Sequence, residues 1–80
     1  PYTVRFSHQT GATIRMLSDR ARKELQAALE QAQGDPLSWP QADRYDLDDT
    51  VRIITTATAI VHYAIQPEPP HLWVFAIMVL

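Results

Sequence analysis

Apolar and polar side chains alternate through residues 2–7, with Tyr2, Val4 and Phe6 on one side, the period-2 pattern of a strand facing a core. From Thr10 the period lengthens. Ile14, Leu17, Ala21, Leu25, Ala28, Leu29 and Ala32 recur at helical spacing and fall on one face. Ser18 and Asp19, both good N-capping types, interrupt this stretch, so the pattern predicts two helices meeting at a tight turn, over about 9–17 and 19–33. Gly34-Asp35-Pro36 then ends the second helix, glycine offering a left-handed cap and proline being unable to continue.

Residues 37–49 are polar, with Pro40 and four aspartates, and read as a connecting loop with a short edge strand around 44–47. Residues 50–56, 58–66 and 71–80 are rich in Val, Ile, Thr and aromatic types and read as three strands. Pro67-Glu68-Pro69-Pro70 marks the last turn, whereas the turn near 55–58 contains neither Gly nor Asn. This order implies a small α+β domain: an N-terminal strand, a two-helix hairpin, then a three- to four-stranded antiparallel or mixed sheet with both helices on one face. The whole of residues 1–80 is expected to form one domain.

Composition narrows the chemistry. With 80 residues and no cysteine, the chain has a small core and neither disulfides nor thiolate chemistry, which fits a reducing cytosol. No cofactor and no metal are expected. The longest apolar run, residues 72–80, is far short of the roughly 20 residues a membrane helix needs. Pro1 suggests removal of an initiator methionine, and no signal-peptide layout follows it.

The net charge of −2 is unevenly distributed. Residues 1–23 hold five bases and one acid, a balance of +4, and the remainder holds two bases and eight acids, a balance of −6. Arg15, Arg20, Arg22 and Lys23 are therefore candidates for contact with RNA or an acidic partner, an ordinary solvated helix face being the alternative.

The opening YTVRFS strand, the LSDRARKELQAALEQAQGDP helix and the VRIITTATAIVHYAI segment before a final apolar strand resemble the RelE/ParE superfamily of bacterial toxins. The resemblance covers nearly the whole chain. It implies a small cytoplasmic protein neutralised by a cognate antitoxin, with homodimers compatible. One branch cuts messenger RNA on the ribosome and the ParE branch blocks DNA gyrase, so the resemblance leaves the activity open.

Cleavage of RNA through its own 2′-hydroxyl needs a proton acceptor, a cation for the phosphate and an acid for the leaving oxygen. The resemblance places Arg52 at a basic strand position. It places the family's transition-state arginine at Ile60, and the C-terminal catalytic segment beyond Leu80. His62 is the candidate for proton transfer, since alternation sets it with Ile60 and Ala64 on one face, opposite Val61, Tyr63 and Ile65. His62 could equally fill a strand position, and Arg52 could pair with Asp48 or Asp49. Trp73, Phe75 and Ile77 read as core-facing. Trp39 either pins its loop or awaits a partner. A remote alternative takes Pro1 as the amine base of a tautomerase.

Overall fold

The computed structural model describes residues 2–43 and 48–80. The terminal amine of Pro1 and the short strand expected around 44–47 lie outside the described residues. The elements follow in the order β1 (Thr3–Phe6), α1 (His8–Arg15), α2 (Asp19–Gly34), β2 (Val51–Thr55), β3 (Ala59–Pro67) and β4 (Pro70–Val79).

Serine defines the start of each helix. The Ser7 side chain accepts a hydrogen bond from the Thr10 amide, and Ser18 does the same for Ala21. The second helix ends by a different device from the one expected. No glycine has positive φ, and α2 runs through Gly34 to Asp35, which is extended at φ −149°. Pro36 follows, and a residue before proline is sterically driven out of the helical region, so proline alone stops the helix. Asp35 then accepts from the Leu37 amide and starts the 3-10 turn Pro36–Ser38.

The sheet order is β1-β4-β3-β2. The pairs β2–β3 and β3–β4 are antiparallel, but β1 joins β4 in parallel, with Val4 beside Leu72 and Arg5 beside Trp73. The sheet is thus mixed, because the helical hairpin carries the chain across one face before it returns. The glycine-free turn between β2 and β3 is held by Thr56, whose hydroxyl accepts from the amides of Thr58 and Ala59 at 3.2 and 3.0 Å.

Leu17, Ala21, Leu25, Ala28, Leu29 and Ala32 pack on Ile54, Val61, Tyr63, Leu72 and Val74, with Tyr2, Val4, Ile14 and Ile65 at the margin. Burial of Leu25 and Leu29 stabilises the fold by about 1.5–3 kcal/mol each. Trp73 and Phe75 lie outside this layer while Ile77 packs against it, contrary to their expected common face. The cause is a bulge in β4. His62 pairs with Ala76 and Tyr63 with Val74, so Phe75 is an extra residue and the alternation reverses after it.

Residues 35–42 are tied to the core at three points. The Tyr63 hydroxyl donates to the Pro36 carbonyl at 2.5 Å, and Trp39 Nε1 donates to Ala28 O at 3.2 Å. Backbone bonds Ala42 N to Val51 O and Ile53 N to Pro40 O, at 2.9 and 3.0 Å, run this segment along the outer edge of β2.

Burial pushes the Tyr63 phenol up to about 12, an effect that Arg52 partly opposes and Asp35 slightly reinforces. Below about pH 10, the ordinary tyrosine range, folded and unfolded chains both hold the proton. Above it the unfolded chain releases the proton first, so stability falls as pH rises from 10 to about 12. We expect Tyr63→Phe to cost about 1 kcal/mol at pH 7 in urea unfolding. We also expect the variant to lose part of the alkaline fall in Tm that the unmodified chain shows.

Candidate functional site

The two faces of the sheet differ. One carries the helices and the core. The other displays Arg5 from β1, Trp73, Phe75, Ala76 and Met78 from β4, Ile60, His62 and Ala64 from β3, and Ile53 from β2. These residues share a face because paired positions on neighbouring strands project the same way. Phe75 is 40% exposed and Met78 59% exposed.

His62 stands near the middle of this open face. It pairs with Ile53 on one side and Ala76 on the other, and its ring meets that of Phe75 at 6.1 Å between centroids, tilted by 45°. The imidazole is half-buried and makes no hydrogen bond among the described residues, so its nitrogens remain available to a ligand. Ile60 is two residues away on the same strand face and pairs with Met78 and Thr55. The position that the resemblance assigns to a cation is thus part of an apolar surface.

Arg52 is on the other side of the sheet. It pairs with Tyr63, and its Nε and Nη1 donate to the carbonyls of Asp49 and Trp39 at 2.9 and 3.2 Å. The alternative pairing with an aspartate is replaced by these two carbonyls. Asp48 instead accepts from the Thr50 hydroxyl and amide, which hold its carboxyl below the usual range. The structure therefore does not bring Arg52 and His62 together.

The basic cluster forms a third region. Arg15 closes α1 and Arg20, Arg22 and Lys23 occupy the first turns of α2, all exposed. Arg22 pairs with Asp19 and reaches the Arg15 carbonyl at 3.3 Å. Beside it, Val4, Phe6, Ile14, Leu25 and Leu29 line a groove of about 320 Å³ between β1 and α2, with Gln26, Glu30 and Gln33 on its rim. None of these four bases reaches the open sheet face.

Sequence reasoning missed Arg5, Trp73 and Phe75 as members of the His62 surface. One signal was present: among the described residues no acid lies in a strand, while the strands contain Arg5, Arg52, His62 and His71. Among the described residues no group of acidic or histidine side chains could hold a metal, and no helix is long and apolar enough to cross a membrane.

No family model and no curated protein matches the sequence. Among solved structures, the chain is similar to the crystal structure of the isolated E. coli RelE toxin. The TM-score is 0.84 over 99% of this chain and 84% of that one, with 17% sequence identity. A likeness of that extent at so low an identity is one of architecture: the chain has a RelE-like fold.

Arg52→Ala should destabilise the chain by about 1–3 kcal/mol, because the Asp49 and Trp39 carbonyls lose a charged donor. Urea unfolding measures that loss. The NMR signals of the His62 ring, across the sheet, should not move; a shift would show that the two faces are coupled.

Proposed function

We propose that this chain is the toxin component of a type II toxin–antitoxin system, and that the open sheet face is the surface it presents to its target. The RelE-like architecture over 99% of the chain is the observation that carries the reading. On this reading the target is messenger RNA at the ribosome. His62 takes the proton of a 2′-hydroxyl, O2′ attacks the adjacent phosphorus, and the 5′-oxygen departs with a proton from solvent. The products are a cyclic phosphate and a 5′-hydroxyl.

With Ile60 at the expected cation position and Arg52 directed to the other face, nothing on this face matches a pair of phosphate-neutralising arginines. Weak or altered cleavage follows. The same feature favours a second reading, a ParE-like inhibitor that docks on DNA gyrase and needs no proton transfer.

The cognate antitoxin is the partner assigned to the basic cluster. Arg15, Arg20, Arg22 and Lys23 supply charge for an acidic segment, and the adjoining groove of Val4, Phe6 and Leu29 supplies apolar surface for it to cover.

Ribosome-dependent messenger cleavage and gyrase supercoiling, assayed side by side, separate the two readings. We expect His62→Ala to keep the circular dichroism spectrum and to abolish cleavage. Cleavage at the unchanged rate would make His62 a strand filler, and inhibition of supercoiling without cleavage would select the second reading. Charge reversal at Arg20, Arg22 and Lys23 should weaken antitoxin binding at low salt by about tenfold or more, on the scale of electrostatic contributions at interfaces. Calorimetric titration measures it.

A further inference from the structure

The β4 bulge gives the open face a feature that proton transfer does not use. It places Phe75, 40% exposed, against the His62 ring, two residues along the strand from the half-buried Trp73. Two residues of strand span about 7 Å, twice the roughly 3.4 Å rise between stacked nucleotides in one strand of a duplex. Backbone positions so spaced suit bases that have been splayed apart better than bases stacked on one another.

Charge points the same way. Arg5 is the neighbour of Trp73 across the β1–β4 pairing, about 4.8 Å away at the backbone, and makes no hydrogen bond or ion pair among the described residues. Among the described residues no strand contains an acid, although the chain as a whole is net negative at −2. A sheet whose described strands contain no acid, with helices behind it, one exposed and one half-buried ring on its free face and a cation beside them, has the physical elements of a single-strand binding platform.

We infer that Phe75 and Trp73 are base-stacking residues for single-stranded RNA, with Arg5 contacting the phosphate that joins the two stacked nucleotides. The inference takes from the proposed function only that the ligand is RNA. It adds the residues that hold the strand where the expected arginine is absent. Stacking on a ring requires no particular base, so binding is tolerant of sequence.

The test is fluorescence anisotropy of the full chain with a labelled single-stranded RNA of about ten nucleotides, within the usual site sizes of such platforms. Phe75→Leu and Trp73→Leu keep apolar bulk and remove the ring. Each should weaken binding by about fivefold or more, and Arg5→Gln should reduce the salt slope by about one. In the unaltered chain, RNA should quench Trp73 emission; Trp39 is packed behind the sheet against Ala28 O and should not respond. That measurement decides the matter if a variant fails to fold.

Several results would overturn the inference: no binding at low salt, unchanged affinity in the ring variants, unquenched emission in the complex, or equal affinity for duplex RNA or single-stranded DNA. Binding with the expected losses but no cleavage would uphold the platform and defeat the ribonuclease. Cleavage that persists at the same rate in both ring variants would do the reverse.

Discussion

The alanine-rich face of α2 lies directly on the sheet, and the rest of the architecture depends on that contact. Ala21, Ala28 and Ala32 allow the helix to approach, while Leu25 and Leu29 fill the space over Ile54, Val61, Leu72 and Val74. Because this layer is thin, the chain must find further anchorage for its connecting segment. It does so through polar groups at the layer's margin: the Tyr63 hydroxyl, the Trp39 indole and the Arg52 guanidinium each bond a backbone carbonyl. Arg52 is thereby explained as a brace. Its charge sits beside the core layer because two carbonyls accept from it there.

The helices were readable from spacing and serine caps, and the strands from β-branched composition. His62 could be assigned to the correct side because Val61, Tyr63 and Ile65 alternate cleanly with it. Three features were not readable, each for a physical reason. Residues 72–79 are apolar at every position, so alternation cannot say which side is buried, and a one-residue bulge reverses the answer midway. An arginine in a strand reads as outward-facing, yet Arg52 shares a face with Ile54, where backbone acceptors wait at the sheet's end. Gly34 looks like a cap, but the following Asp35-Pro36 already ends the helix without any left-handed residue.

The sequence resemblance and the fold comparison agree on architecture and stop at the same place. Neither supplies the chemistry of the open face, where Ile60, His62, Phe75 and Trp73 present rings and aliphatic groups. A surface of that composition is suited to holding a flexible chain. It is less suited to stabilising a phosphate that gains charge.

The two margins of the sheet are unequal. Residues 40–42 run along the first part of β2 and bond its Val51 O and Ile53 N, whereas β1 is the other terminal strand and is tied only at the preceding residue, Tyr2, through Gln33. A template with one side covered along part of its length favours strand addition at the other. Edge-to-edge pairing between copies, through two β1 strands, would close at a pair, and the covered start of β2 opposes its propagation into a fibre.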